Sequence, residues 1–280
     1  NLNFAKNSNK VKKLVDGMDM FELEKATWCN VEVAAVVGEN FGSIVGPDFK
    51  RNAQGQILID PNSGLPEYDQ SNHILGNASW DWTGGLTTTL TYKNLSLNAV
   101  FDVKVGADLY SMSARASYES GKAKETLQGR EQWYVSEEQR KAAGVQAGTA
   151  NWKATGGFIA PGVIDNGDGT YRPNDIYVNP EDYWMSVSRN APGVFVYDNS
   201  YIKCREITLS YQVPNSWLLK NLKWVKGASI SFVTRNPFIV WKNIPNIDPD
   251  SNYNNTTGMG LEYGSLPSRK SYGFNVNLKF

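Results

Sequence analysis

The sequence has one histidine, His73, and two cysteines, Cys29 and Cys204. A Ser-His-Asp or Cys-His catalytic site would have to use His73. That residue lies in Gln70-Ser71-Asn72-His73, a polar run without a nucleophile motif, and an exposed loop histidine is expected. Two distant thiols make no disulfide framework, and with one histidine they cannot complete a zinc ligand set. They read as small, half-buried strand residues. Lys+Arg number 28 and Asp+Glu number 28, with no basic cluster, so a nucleic-acid partner has no electrostatic support. Gly258-Met259-Gly260 with Gly264 lacks dinucleotide-fingerprint spacing, and there is no phosphate-binding loop. Neither a metal nor a cofactor is expected, and nothing selects a catalytic carboxylate pair from the many loop acids.

No segment approaches the ~20 apolar residues that a helix needs to cross a bilayer. A spanning β-strand needs only ~9–11 residues, half of them apolar, so this absence is no evidence against a membrane. A signal-peptide pattern is also missing. The chain opens on Asn1-Leu2-Asn3-Phe4-Ala5, already alternating, and the expectation is that a natural N-terminal portion precedes it.

Period-two alternation is present in full. In Tyr272-Gly273-Phe274-Asn275-Val276-Asn277-Leu278-Lys279-Phe280, the apolar residues Tyr272, Phe274, Val276, Leu278 and Phe280 share one face and polar residues or glycine take the other. Seven strands are expected, at 1–6, about 27–37, 85–93, 95–105, 200–213, 226–236 and the terminus. Polar faces carry Asn98, Asp102, Glu206, Asn275 and Asn277, as in a barrel lumen or a one-sided antiparallel sheet. Connections alternate between short and long, the long ones running to about 45, 90 and 30 residues, which a compact soluble domain rarely tolerates. Outer-membrane barrels have this asymmetry, with short periplasmic turns and long extracellular loops. With the long loops outside, the terminal strand runs towards the periplasm, as do 200–213, 85–93 and the 1–6 stub. An upward strand must then precede the stub, because bacterial barrels have an even strand number.

The long loops are aromatic-rich and should be folded. Residues 122–143 read as a helix pair with Ser136-Glu137-Glu138-Gln139 as a capping box, and 214–225 as a short helix at the periplasmic rim. Asp165-Asn166-Gly167-Asp168-Gly169-Thr170 resembles a calcium loop, but Ile164 falls where a carboxylate is required, so a tight polar turn is expected. Among the loop aromatics, Trp152, Tyr183, Trp184 and Trp241 are the candidates for stacking on an oligosaccharide or peptide; internal packing is the competing role. Three readings compete: a transporter barrel, a soluble β-sandwich that binds carbohydrate, and a surface hydrolase.

Several motifs, in order along nearly the whole chain, resemble SusC/RagA-type TonB-dependent transporters. They are Val37-Gly38-Glu39-Asn40-Phe41-Gly42 (Asn40 in place of the usual proline), Leu75-Gly76-Asn77, Trp82-Thr83-Gly84-Gly85, and Ser200-Tyr201-Ile202-Lys203-Cys204-Arg205-Glu206 running on to Pro214. Thr234-Arg235-Asn236-Pro237-Phe238, Asn246-Ile247-Asp248-Pro249-Asp250 (Asp250 in place of Glu) and Leu266 to Phe280 complete the set. The resemblance implies an all-β fold: residues 1–280 would be the C-terminal portion of a transmembrane β-barrel of about 22 strands, with the plug and first strands outside this chain. It further implies no enzymatic activity and energised import of oligosaccharides or oligopeptides across a bacterial outer membrane. The implied partners are a SusD-like lipoprotein lid, TonB-ExbB-ExbD acting through the N-terminal part, and the lipid bilayer. Tyr272, Phe274, Val276, Leu278 and Phe280 would be the barrel-assembly signal.

Overall fold

In the computed structural model, residues 1–26, 29–149, 152–222 and 224–280 are described. In chain order the strands are β1 (Leu2–Lys6), β2 (Met20–Ala26), β3 (Val31–Val36), β4 (Ser43–Phe49), β5 (Tyr68–Asn77), β6 (Trp82–Tyr92), β7 (Leu95–Val105) and β8 (Asp108–Ser111). Then follow β9 (Phe158–Ile159), β10 (Val163–Asp165), β11 (Tyr171–Pro173), β12 (Tyr177–Val178), β13 (Val196–Asp198), β14 (Tyr201–Gln212), β15 (Gly227–Lys242), β16 (Leu261–Glu262) and β17 (Ser271–Lys279). The helices are α1 (Met112–Glu119), α2 (Arg130–Ala142), α3 (Pro180–Asn190) and α4 (Asn215–Asn221). None is long and apolar enough to cross a membrane, which says nothing about spanning strands.

Six strands form one antiparallel sheet in the order β1-β6-β7-β14-β15-β17. Its register sorts residues into two faces. Leu90, Leu97, Leu209, Phe232 and Phe274 form one cross-strand row, and Tyr92, Leu95, Tyr211, Ile230 and Val276 form the next. These rows make an apolar outer face on which Leu90, Leu209, Ile230 and Phe274 stay exposed. The opposite rows are polar: Thr91, Ser96, Ser210, Ser231 and Asn275, then Thr89, Asn98 and Thr208. Hydrogen bonds knit this inner face, from Asn98 Nδ2 to Thr89 Oγ1 (2.8 Å) and between the Ser210 and Ser231 hydroxyls (2.8 Å). A sheet that exposes this much contiguous apolar surface needs lipid or further protein against it.

Aromatics gather at the short-turn end. Tyr92, Tyr211, Trp217, Trp224 and Phe280 are exposed there, with the Trp224 and Phe280 rings stacked at 5.3 Å. At the other end Trp82 lies across Gly84, where an added Cβ would sit 3.7 Å from its ring, and meets Phe4 at 5.7 Å. The ring covers the backbone that the glycine leaves bare.

The β6–β7 turn is Lys93-Asn94, with Lys93 in the left-handed region (φ 53°), and β14–β15 is bridged through α4, as expected. The other three connections, β1–β6, β7–β14 and β15–β17, leave from the opposite end and fold together into a cap. One cap core gathers Phe49, Ile59, Phe158, Ile164, Tyr183 and Val187. A second gathers Cys29, Val31, Val33, Ile44, Tyr110, Phe195 and Leu261.

The structure corrects several expectations. The segment expected at 27–37 is not a spanning strand. Its first residues, Thr27 and Trp28, lie outside the described residues; Cys29 and Asn30 form a turn; and β3 belongs to a four-stranded cap sheet, β2-β3-β4-β5. Among the described residues six strands therefore lie in the main sheet rather than seven, and β1, pairing antiparallel with β6, runs opposite to the direction expected for the stub. Val31, Val33 and Ile44 fill the second cap core, because one apolar strand face is equally satisfied by lipid or by protein.

The expected helix pair is a 3₁₀ turn at Lys124–Leu127 and the single helix α2, which starts after Gly129 (φ 82°). Ser136 is not an N-cap. It is buried mid-helix and its hydroxyl accepts from the Thr155 N–H at 3.0 Å, a tertiary use that replaces the local capping bond. His73 lies on β5 rather than in a loop, with Nε2 3.1 Å from Asp69 Oδ2. Both cysteines are buried and free; Cys204 lies in a strand and Cys29 in the turn before β3.

Candidate functional site

The motifs at 200–206 and 246–250 meet where the cap joins the inner face of the sheet. Lys203, on β14, is only 2% exposed. Its ammonium reaches Asp248 Oδ1 at 3.0 Å, Asp250 Oδ2 at 2.5 Å and Ser268 Oγ at 2.5 Å. Arg205 sits at the bulge between Cys204 and Glu206. It reaches Asp102 Oδ2 on β7 at 2.6 Å, Asp250 through Nη1 and Nη2, and the Tyr201 hydroxyl, which itself donates to Asp250 Oδ1 at 2.8 Å. Two cations thus face three carboxylates, each with several partners. Charge-assisted bonds of this kind repay desolvation only when the remaining donors and acceptors are also satisfied.

The loop closes the network with its own backbone. Asp248 Oδ1 accepts from the Asp250 N–H (3.0 Å) and Oδ2 from the Ser268 N–H (2.9 Å), and the Ser268 hydroxyl donates to Asp248 as well. Burial pushes the Asp248 carboxyl upward, but the Ser268 hydroxyl, the Asp250 N–H and Lys203 outweigh it and hold the group below its ordinary range. For Asp250 burial also acts upward, and Arg205, Lys203 and Tyr201 drive the group far lower. Both remain carboxylates at neutral pH, clamping the β15–β17 loop to β14.

Other motif residues have similar explanations. At Gly76 an added Cβ would sit 2.7 Å from Asp108 Oδ2, so the glycine lets Asp108 approach and accept from the Asn77 N–H at 2.9 Å. Asn77 Nδ2 in turn donates to the Asn40 carbonyl at 3.2 Å. Burial pushes the Asp108 carboxyl up, the Asn77 N–H acts downward, and the charges of Asp198 and Asp81 add to the rise. Glu262, 1% exposed, accepts from Ser111 Oγ, the Ser113 N–H and Ser113 Oγ at the start of α1, joining the last loop to the cap.

Beside the clamp lies a cavity of about 300 Å³ whose lining includes Trp80, Lys104, Asp108, Asn199, Tyr201 and Asp250. Lys104 and Tyr201 are register partners on the inner face. The Trp80 and Tyr201 rings meet edge to face, 5.8 Å apart at 87°. Sequence reasoning missed Trp80, Lys104 and Asn199; the only available signal was that Lys104 shares the polar face of β7 with Asp102.

The four aromatic candidates are not brought together. Tyr183 is packed in the first cap core, where burial pushes its hydroxyl up to about 12, so its ring is not offered to a ligand in this state. Trp184 touches it at 5.0 Å, packs on Tyr118 at 4.7 Å and lines a separate cap cleft of about 660 Å³. The Trp152 indole N–H is buried without a hydrogen-bond partner among the described residues. Trp241 is Ile202's register partner on the outer face, so it suits an interfacial position better than a ligand. At 165–170 the carboxylates serve their own turn: Asp165 accepts from the Gly167 N–H and Asp168 from the Thr170 N–H. Tyr272, Phe274, Val276 and Leu278 share the exposed outer face of β17, and Phe280 follows them.

An antiparallel sheet, apolar outside and polar inside, with short turns at one end and a folded cap at the other, is a segment of an outer-membrane β-barrel. Within that class the chain is similar in sequence to TonB-dependent receptors and in fold to the RagAB peptide transporter. It is 23% identical over 308 residues to TonB-dependent receptor P3 of Formosa agariphila, a match covering 99% of this chain and 26% of that protein. It is 22% identical over 304 residues to TonB-dependent receptor P26 of the same organism, covering 100% and 27%. Among solved structures it superposes on the RagAB peptide transporter with a TM-score of 0.62 at 17% identity, covering all of this chain and 26% of that one. The closed-closed state of the RagAB peptide importer gives 0.59 at 16% identity. No family model matches. The chain spans about a quarter of the length of the curated relatives it matches.

Proposed function

We propose that residues 1–280 form the C-terminal portion of a transporter barrel that imports oligosaccharides or oligopeptides across the outer membrane. A SusD-like lipoprotein closes on the cap as a lid, and TonB-ExbB-ExbD acts through a plug in the N-terminal part. No bond is made or broken in the substrate. The wall supplies polar groups such as Asn98, Asp102, Glu206 and Asn275 to the lumen, and Tyr272, Phe274, Val276, Leu278 and Phe280 present the assembly signal. The loop aromatic Trp184 remains a candidate ligand contact.

The observation that carries this reading is the clamp. It fastens an external loop to the inner, polar face of the wall, so the cap sits over the lumen mouth. A soluble carbohydrate-binding sandwich would need a second sheet over the Leu90–Leu97–Leu209–Phe232–Phe274 row, and the described residues place none there. In cells making the full-length transporter, uptake of labelled oligomers should stop when TonB is removed, and a lipoprotein should co-purify in mild detergent. A species that is soluble and monomeric without detergent would overturn the reading.

A further inference from the structure

Lys104 and Asn199 both line the cavity beside the clamp, and the protein satisfies neither completely. The Lys104 ammonium lies over two rings, 5.5 Å from the centroid of Trp80 and 6.0 Å from that of Tyr201, and forms no ion pair among the described residues. One strand away, Lys203 and Arg205 share three carboxylates. Asn199 is 2% exposed. Its Nδ2 donates to the Pro249 carbonyl at 3.0 Å and its N–H to the Ala107 carbonyl at 2.8 Å, but Oδ1 is buried and has no partner among the described residues. A buried acceptor without a donor is costly, and a ligand N–H or O–H would remove that cost. Asp108 and Asp250 also line the cavity, but neither forms an ion pair with Lys104, and a cation held on aromatic faces without a carboxylate partner among the described residues is set up for an anion.

Trp80 divides this cavity from a second one of about 410 Å³; the two also share Ala78 and Met259. The second is apolar, lined by Leu23, Val33, Phe41 and Trp82 among others. An anion site with a hydrogen-bond acceptor, set against an apolar compartment, fits a peptide C-terminus. A uronate would bring its carboxylate but would place hydroxyls in the apolar compartment, at a desolvation cost.

We propose that the two cavities form a subsite for the C-terminal residue of an oligopeptide. Lys104 receives the carboxylate, Asn199 Oδ1 accepts a peptide N–H, and the apolar cavity takes the terminal side chain across Trp80. This rests on the import reading and narrows it to peptides with a free carboxyl end.

The test uses the full-length transporter extracted with its partner lipoprotein. The probe is an N-terminally labelled tetrapeptide ending in leucine, as the free acid and as the C-terminal amide. The acid should bind about tenfold more tightly than the amide. Lys104→Gln should bring the acid down to the amide's affinity and leave the amide unchanged, whereas Lys104→Arg should keep most of the preference. Each variant is first checked for heat-modifiable mobility, which reports a folded barrel. Equal binding of acid and amide, a preference that survives Lys104→Gln, or tighter binding of a uronate disaccharide than of the acid would each overturn the subsite. If Lys104→Gln is silent while uptake still requires TonB, the subsite fails and the import reading stands. If uptake does not require TonB, the import reading itself fails.

Discussion

The spanning sheet and the cap use the same strand chemistry in opposite ways. In β3, Val31 to Ala35 are all buried, the even-numbered residues as fully as the odd. In β17 every residue is exposed, although apolar and polar residues alternate more cleanly there. The cap is stable because its apolar side chains meet one another, whereas the sheet presents them outward and relies on lipid to cover them. Alternation in sequence therefore reports that a strand has an apolar face; what covers that face is decided elsewhere in the chain.

The largest effect should come from the clamp that joins the two regions. Asp250→Ala leaves Lys203 buried and Arg205 short of a partner, and breaking a buried pair from one side costs about 3–5 kcal/mol. Limited proteolysis should then cut the 243–270 loop while the spanning strands stay protected; an unchanged digest would show that the clamp does not hold the cap. The same contacts set a pH limit. Both loop carboxylates have depressed values, so their stabilisation is complete above the unfolded carboxylate value of ~4 and is lost as pH falls through the lower folded values. Loop protection should be flat from about pH 8 to about pH 5 and decline only below ~4.

Next comes a change confined to the cap. Ile44→Ala empties part of the second core and should cost about 2–5 kcal/mol, read as cap proteolysis with heat-modifiable mobility retained. Loss of both together would mean that the regions fold as one unit.

A matched pair on β7 tests the sheet. Leu97→Arg places a charge on the outer face, at a cost of about 2–4 kcal/mol if the position lies near the bilayer midplane, whereas Asn98→Arg on the inner face should cost far less. Refolding into lipid measures both, and equal costs would show that the outer face does not meet lipid. The smallest effect is expected from Ser136→Ala, about 1–3 kcal/mol for leaving the Thr155 N–H without its acceptor, seen as a local rise in amide exchange near α2.

Much of the sheet was legible because β6, β7 and β17, and long stretches of β14 and β15, alternate between recognisable turns, although register shifts at Ile202/Lys203 and Cys204/Glu206 interrupt the β14–β15 pairing. The cap strands were harder. Pairing irregularities at Glu22/Glu24, Ile44/Val45 and Gly46/Asp48 break the period-two signal of β2, β4 and β5, and β3, though strand-like, gave no sign of its sheet. Ser136 followed the capping-box spelling, but its hydroxyl was taken by a residue 19 positions away. For the site, Lys203 with Arg205 and Asp248 with Asp250 were visible as two motifs, while their union depends on a loop closure that carries no local signature. Trp80, Lys104 and Asn199 come from three separate segments and share no pattern at all.

The clamp also constrains how this chain can change over generations. A lone reversal of Lys203 to an acid would bury a third carboxylate against Asp248 and Asp250, and a lone reversal of Asp250 would set a cation against Lys203 and Arg205. Either intermediate is severely destabilised. The strand at 201–205 and the loop at 248–250 should therefore drift together or stay fixed, so that substitutions in one segment are statistically coupled to substitutions in the other across a gap of more than forty residues.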